Sequence, residues 1–242
     1  MPATHSAHTM LMHEEGTSIA STPGPYNSSW DPSIQAYRAM LVKYNGGKAT
    51  AAEVPMWART ARAAREWMIA NDPDYPIYHL AAPEGWNNDP NGVIYDEHGD
   101  GLYHRFYQYD KTYSDECRHG NTQNCNIGGT PVQNPRSRVW GHTVSRNGAT
   151  WEDWPGVDAD SQWDSVGVFS GNCALRDNGK PVCIYSNGRC DVGVCAYSDD
   201  YVTWRKEGCM TKAPSARSQT NHDTSIWRDG PGGTWYILSG GW

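Results

Sequence analysis

The amino-acid sequence predicts an all-β fold preceded by a short α-helical leader, and three observations support this prediction. From residue 75 onward, short runs rich in Tyr, Val, Ile and Trp alternate with Gly-, Asn- and Asp-containing turns, which is a strand pattern. Before that point, apolar residues recur at three- and four-residue intervals, as they do in helices. The 242 residues include 25 Gly and 15 Pro, so the chain is rich in turns. Short strands without intervening helices favour a closed meander, either a propeller or a sandwich.

The sequence divides into three parts. Residues 1–30 are polar and unpatterned and contain a Pro- and Gly-rich stretch near their end, so we predict that they are disordered. Residues 31–74 are predicted to form a helical extension outside the main domain, with helices over residues 32–44 and 55–70. Residues 75–242 are predicted to form the β domain.

The strands of the β domain are predicted from apolar and aromatic runs that lie between turn residues. These runs cover residues 92–95, 102–109, 139–145, 181–186, 192–198, 203–207, 224–228 and 234–239. Residues 110–136 interrupt the pattern and are rich in Cys, Asn and Gly, so we predict a surface loop there.

Composition and charge exclude several functions. The net charge of -7 leaves no basic stripe that could neutralise a phosphate backbone, so we expect no nucleic-acid partner. No apolar run approaches the roughly 20 residues that a membrane-spanning helix needs, and residues 1–30 lack the pattern of a signal peptide. The 12 Trp and 14 Tyr side chains suit stacking on sugar rings as well as packing between strands. A small polar substrate is therefore favoured, with no membrane partner and no cofactor.

The cysteines indicate disulfides rather than a metal site. They lack both the Cys-x-x-Cys spacing and the His partners of a zinc site, so no metal is expected. Their density, together with a glycosylation acceptor triplet at residues 27–29, indicates an oxidising compartment. Cys117 could pair with Cys125, and Cys190 with Cys195, although connectivity cannot be read from sequence.

Residues 85–92, Gly-Trp-Asn-Asn-Asp-Pro-Asn-Gly, hold the densest group of side chains that could take part in catalysis. Asp89 stands between two asparagines and is followed directly by a proline. Taken alone, this segment favours a tight turn in which Asp89 accepts a hydrogen bond from a neighbouring backbone amide. A catalytic carboxylate is the second interpretation.

Further motifs favour the catalytic interpretation. After the first segment come Tyr-His-Arg-Phe-Tyr-Gln at residues 103–108, Trp-Gly-His-Thr-Val-Ser at 140–145, Phe-Ser-Gly at 169–171 and Ala-Tyr-Ser-Asp-Asp at 196–200. In this order, the motifs resemble glycoside hydrolase family 32, which contains invertases, inulinases, levanases and related fructosyltransferases. The sequence departs from the usual first motif of the family at Asn87, where Met or Leu is common. The resemblance implies a five-bladed β-propeller with an axial pocket, of which this chain would supply roughly the first three blades.

The resemblance also implies a role for each motif residue. Asp89 would be the nucleophile that attacks the anomeric carbon of a fructosyl unit. Asn88 and Gln108 would hydrogen-bond the sugar. Trp86 and Phe169 could each be a packing residue instead. The residues expected to contact or border the sugar are Trp86, Asn88, Gln108, Phe169 and Ser170.

The Arg-Asp-Pro motif of the family has its best counterpart in His222-Asp223-Thr224. Asp223 would then hydrogen-bond the sugar hydroxyls in the transition state, and His222 would be a substrate-binding residue. A histidine has fewer fixed donors than an arginine and can be neutral near pH 7. We therefore expect either altered substrate contacts or weakened activity. The alternative is that Asp223 is a turn or cap residue.

The general acid of the reaction is not apparent in the sequence. A retaining glycosidase needs two carboxyl groups about 5 Å apart, one of which protonates the leaving oxygen. In the family this acid is a Glu that precedes a Cys downstream of the Arg-Asp-Pro position, and no Glu follows Asp223. Glu116-Cys117 has the same two residues, but it lies upstream and is interpreted as unrelated. The chain is therefore expected to be a fragment that is inactive alone.

The sequence thus favours a retaining glycosidase that acts on β-fructofuranosides such as sucrose, inulin or levan. A fructosyltransferase of the same family is one alternative. A non-catalytic sugar-binding propeller is another, because the missing acid and His222 would fit it. A five-bladed family that acts on arabinose- or xylose-containing polymers is disfavoured by the first motif. The resemblance and the cysteines together predict a secreted or extracytoplasmic protein.

Overall fold

The computed structural model describes the two helices and most of the β domain. The described residues are 31–44, 49–78, 80–110, 126–127, 130–131, 138–164, 167–187, 192–208 and 222–240. The predicted disorder of residues 1–30 lies outside the described residues, and so does most of the loop predicted at 110–136.

Both predicted helices are present. Helix α1 (Pro32–Lys43) begins after Asp31, whose carboxylate accepts a hydrogen bond of 2.8 Å from the backbone N–H of Ser33. This is the usual way to satisfy a free amide at a helix start. A short 3-10 helix (Ala51–Glu53) leads into helix α2 (Val54–Asn71), which has a proline in its first turn. In the part of the chain that the structure describes, neither helix is long and apolar enough to cross a membrane.

The first half of the β domain forms one four-stranded antiparallel sheet. The strands in this half are β1 (Trp86–Tyr95), β2 (Tyr103–Asp110), β3 (Asn126–Ile127), β4 (Thr130–Pro131), β5 (Arg138–Ser145) and β6 (Glu152–Val157). The strand order in the sheet is β1, β2, β5 and β6, and among the described residues β3 pairs with β4 in a separate hairpin.

The second half repeats this arrangement. β7, β8, β9 and β10 form a second four-stranded antiparallel sheet in chain order, and β11 pairs with β12 in a third sheet. Successive up-and-down sheets of this kind are the building units of a propeller. The strands are β7 (Gly171–Leu175), β8 (Pro181–Tyr185), β9 (Val194–Ser198), β10 (Trp204–Glu207), β11 (His222–Arg228) and β12 (Trp235–Gly240). The all-β fold with a helical leader is confirmed, whereas the count of five blades stays a prediction.

The larger of two hydrophobic clusters among the described residues joins the helices to the first two sheets. Phe106, Trp140 and Tyr185, from three strands of the two sheets, are almost completely buried and pack at tilted or edge-on angles. Helix α2 packs on β6, where the guanidinium of Arg65 lies 2.7 Å and 2.8 Å from the two carboxylate oxygens of Asp153. The helical extension therefore contributes to the same core as the first sheet.

One disulfide connects neighbouring strands of the second sheet. It joins Cys173 on β7 to Cys183 on β8, a pair that the sequence analysis did not propose. Cys195 on β9 is a thiol whose pKa burial raises to about 11, so the suggested Cys190–Cys195 pairing is wrong. Cys117 and Cys125 lie outside the described residues, so their pairing stays a prediction.

The sequence patterns missed four strands and the start of a fifth. β3 and β4 lie within the segment that was predicted to be a surface loop. β6 contains both a Pro and a Gly, which weaken a strand pattern, and it lies at the edge of its sheet, where a Pro is tolerated. β7 has only five residues and one large aliphatic side chain. β1 begins at Trp86 rather than residue 92, so the turn favoured by the isolated motif is wrong.

Candidate active site

Asp89 lies in a β-bulge of β1. Asn87 pairs with Tyr109 and Pro90 pairs with Tyr107, so two residues, Asn88 and Asp89, lie opposite the single residue Gln108. Successive side chains of a regular strand point to opposite faces, whereas a bulge changes the direction of one of them. The bulge therefore lets two neighbouring polar side chains serve the same site.

Four of the predicted site residues form one chain of hydrogen bonds. The Ser170 hydroxyl donates to Oδ2 of Asp89 over 2.5 Å. The side-chain amide of Gln108 donates to Ser170 Oγ over 3.2 Å, and its carbonyl oxygen accepts from Asn88 Nδ2 over 3.3 Å. Asn88, Asp89 and Gln108 come from the first sheet, and Ser170 comes from the segment that leads into the second sheet.

Asn91 holds the backbone on either side of this chain. Its side chain is buried, donates to the carbonyl oxygen of Asp89 over 3.2 Å and accepts from the backbone N–H of Gly171 over 3.0 Å. Sequence reasoning quoted Asn91 within the first motif but gave it no role. The signal that could have identified Asn91 is its position two residues after Asp89, on a strand that faces the next sheet.

Phe169 and Trp86 are near this group in the chain, Phe169 directly before Ser170 and Trp86 two residues before Asn88. The Phe169 carbonyl accepts a 2.7 Å hydrogen bond from the indole N–H of Trp140, and its partly buried ring faces the guanidinium of Arg138 at 5.4 Å. Trp86 stands at the start of β1 and is 39 % exposed, outside the hydrophobic core. Trp86 thus stands three residues before Asp89 with its indole partly exposed, and an indole is a side chain that can stack on a sugar.

Asp223 also lies in a bulge, on β11. His222 pairs with Gly240 and Ser225 pairs with Leu238, so Asp223 and Thr224 lie opposite one residue. The backbone of Asp223 has φ of 50°, which is left-handed, and its side chain is exposed.

The neighbour of Asp223 anchors this second bulge. Thr224 is fully buried, donates from its hydroxyl to the carbonyl oxygen of Val192 over 2.9 Å and lies 3.3 Å from the hydroxyl oxygen of Ser239. The side chain of His222 lies outside the described part of the molecule.

The two bulges lie on the first strands of two different sheets, with β7 between them. β7 packs against both β1 and β11, and the Asn172 side chain on β7 both donates to and accepts from the backbone of Ile226, over 3.2 Å and 2.6 Å. Among the described residues, no hydrogen bond joins Asp223 to Asp89. The two acids thus occupy equivalent positions, each in a bulge on the first strand of its sheet, in the first and third sheets.

An enclosed cavity lies elsewhere, between the helices and the first two sheets. Its walls include Tyr37, Trp57, Tyr109 and Trp204, and none of the predicted site residues lines it. It is therefore separate from the candidate site. The described residues also contain no group of three or more His, Cys, Asp or Glu side chains that could hold a metal ion.

Comparison with known proteins identifies the family of the β domain. The model of the glycosyl hydrolases family 32 N-terminal domain matches residues 79–124 and 129–241. Raffinose invertase of Escherichia coli is 28% identical over 193 residues, which cover 75% of this chain and 34% of that protein. Sucrose-6-phosphate hydrolase of Zymomonas mobilis is 32% identical over 178 residues, 69% of this chain and 30% of that protein.

A solved structure supports the fold. Sucrose-6-phosphate hydrolase from Lactobacillus gasseri superposes with a TM-score of 0.53 at 23% sequence identity, covering 76% of this chain and 35% of that one. The family model and the motifs together define the class of this domain, an N-terminal domain of glycosyl hydrolases. The chain belongs to glycosyl hydrolase family 32, through the N-terminal domain of that family. It spans about a third of the length of the curated relatives that it matches.

Proposed function

We propose that the protein is a retaining glycosidase of β-fructofuranosides in which Asp89 is the nucleophile. One observation carries the proposal. The Asp89 carboxylate is placed by a bulge and held through Oδ2, and no hydrogen bond from a described residue reaches its Oδ1. One carboxylate oxygen is thus fixed while the other is available to attack an anomeric carbon.

The reaction would proceed in two displacements. An oxygen of Asp89 bonds to the anomeric carbon as the glycosidic C–O bond breaks, and the departing oxygen takes a proton from a general acid. Water then attacks the fructosyl ester, releases fructose and regenerates the carboxylate. A second sugar in place of water would give fructosyl transfer.

The remaining site residues would bind the sugar. Asn88 and Gln108 each keep one side-chain amide hydrogen that is not used in the chain of hydrogen bonds. Trp86 and Phe169 would border the ring. Asp223 and His222 would approach the sugar hydroxyls from the third sheet.

The substrate class follows from the family. Relatives named raffinose invertase, sucrose-6-phosphate hydrolase and fructan 6-exohydrolase support small fructosides or fructans as substrates. A sugar-binding protein without catalysis is the second candidate, because His222 stands where the family motif has an arginine. We also propose a secreted or extracytoplasmic location, which the Cys173–Cys183 disulfide and a relative named extracellular exo-inulinase support.

Replacement of the nucleophile tests the proposal. In the protein as its own cell makes it, Asp89→Asn should lower kcat for sucrose and inulin by on the order of 10⁴-fold or more, because an amide is a poor nucleophile. Asp199→Asn is the matched control, since that carboxylate is exposed and forms an ion pair with Arg176. Undiminished rates in Asp89→Asn would exclude the nucleophilic role. Sucrose binding without turnover in the unmodified protein would support the binding candidate instead.

The assay of the 242-residue chain alone addresses the general acid. We expect no turnover of sucrose, because the acid that the mechanism requires is not assigned within the sequence. Robust hydrolysis by this chain would show that one of its own carboxyl groups supplies the proton.

A further inference from the structure

Ser170 has one hydroxyl hydrogen, and its neighbours determine where that hydrogen points. The carboxylate of Asp89 is ionised when it acts as a nucleophile and can only accept, so the 2.5 Å contact with Oδ2 requires Ser170 to donate. Gln108 Nε2 lies 3.2 Å from Ser170 Oγ and can only donate to it. The Ser170 hydroxyl thus accepts from Gln108 and donates to Asp89.

Asn88 determines the orientation of the Gln108 amide. Asn88 Nδ2 is a donor, so the atom of Gln108 that faces it must be the carbonyl oxygen, at 3.3 Å. The other end of the amide, Nε2, then necessarily faces Ser170. Every hydrogen bond in the chain is consequently donated in the same direction, towards the carboxylate of Asp89.

The second sheet holds Ser170 in place. Its side chain is 9 % exposed, and its carbonyl oxygen accepts from the backbone N–H of Ser186 over 3.0 Å and from the Ser186 hydroxyl over 3.2 Å. The adjacent Gly171 N–H donates to Asn91 on β1 over 3.0 Å. The hydroxyl is therefore fixed relative to both sheets.

We propose that Ser170 is a positioning residue that holds Oδ2 of Asp89 and thereby selects Oδ1 as the attacking oxygen. Gln108 acts through Ser170 by fixing the direction of its hydroxyl. The inference rests on the proposed function of Asp89. It also gives Ser170 a role other than the sugar contact implied by family resemblance, because its single hydrogen is already used.

The two roles differ in their kinetic effects. A side chain that positions the nucleophile acts on the chemical step, so its loss lowers kcat and changes KM little. A side chain that binds the sugar equally in the ground and transition states raises KM when removed and leaves kcat nearly unchanged.

Substitutions at Ser170 test this inference with sucrose as the probe. We expect Ser170→Ala to lower kcat by roughly 10- to 100-fold with KM changed less than about twofold. Ser170→Thr keeps the hydroxyl and should restore most of kcat, whereas Ser170→Val has the shape of threonine without the hydroxyl and should not. Ser198→Ala is the control, because it removes another buried serine hydroxyl, on β9 of the second sheet, and should leave both constants unchanged.

The outcomes separate this inference from the proposed function. A raised KM with unchanged kcat in Ser170→Ala would overturn the positioning role, while Asp89→Asn still abolished turnover. Undiminished turnover in Asp89→Asn would overturn the proposed function itself. Thermal unfolding shows whether each variant folds. Should Ser170→Ala not fold, equal kcat values for the threonine and valine variants would overturn the inference.

Discussion

The bulges at Asp89 and Asp223 use the same backbone device and hold their carboxylates in different ways. In each, two residues of the first strand of a sheet lie opposite one residue of the next strand. At Asp89, the side chain itself is held, through Ser170, by the neighbouring sheet. At Asp223, the backbone is held, through the buried hydroxyl of Thr224, and the carboxylate is exposed.

This difference suits the two proposed roles. A nucleophile must present one oxygen along one line, so its side chain needs a fixed orientation. A carboxylate that hydrogen-bonds sugar hydroxyls takes its orientation partly from the sugar, and a fixed backbone is sufficient. Two bulges with the same strand pairing can thus hold one carboxylate in a fixed orientation and leave the other exposed to the sugar.

Removal of the charge at the second bulge should have the largest effect after the loss of the Asp89 carboxylate. We expect Asp223→Asn to lower kcat/KM for sucrose by about 10²- to 10³-fold, less than Asp89→Asn, because a charged acceptor is lost but the nucleophile remains. Asp229→Asn in the turn after β11 is the control, since that side chain is exposed in the same hairpin. A loss as large as that in Asp89→Asn would remove the distinction between the bulges.

Loss of the Thr224 hydroxyl, which anchors the second bulge, should have the next largest effect. Thr224→Val should destabilise the protein by about 1–3 kcal/mol, because the carbonyl of Val192 loses its donor in a buried place. Urea denaturation would measure this change. Thr224→Ser keeps the hydroxyl and should lose much less. Equal stabilities for the two variants would show that the hydroxyl does not hold the bulge.

The first sheet, which carries Asp89, should lose stability at low pH. Burial, followed by the nearby His104, lowers the pKa of His142 well below its usual value, and His142 Nδ1 lies 3.0 Å from the carbonyl oxygen of Pro155. The unfolded chain therefore binds this proton more tightly than the folded protein. The contribution of neutral His142 to the free energy of unfolding should be fully present above about pH 6.5. Below that pH it should fall by up to ~1.4 kcal/mol per pH unit. His142→Gln should flatten the fall in urea titrations, and an unchanged slope would contradict the assignment.

Substitutions that test the backbone conformation at Asp223 and Asp89 should give the smallest change in stability. They should also give the clearest difference between the two bulges. Asp223 has a left-handed φ of 50°, so Asp223→Gly should be more stable than Asp223→Ala by ~1 kcal/mol. Asp89 is not among the described residues with positive φ. There the order should reverse, with Asp89→Ala more stable than Asp89→Gly by about 0.5–1 kcal/mol. The same order at both positions would show that the two bulges hold their backbones alike.

Local patterns were sufficient for the helices. α1 and α2 were predicted because apolar side chains at helical spacing leave little choice of conformation. β6 was missed because its Pro and Gly are tolerated only by virtue of its edge position, which depends on the other strands. The start of β1 was missed because Asn-Asp-Pro-Asn has the composition of a turn.

The sequence by itself determined the helices, most strands, the family and the identity of the candidate acids, because each depends on residues near one another in the chain. Only the tertiary structure decided how those acids are held. The bulges, the direction of the hydrogen bonds through Gln108 and Ser170 and the anchor at Thr224 each join segments distant in sequence. Such contacts form when sheets pack together, so no local pattern encodes them.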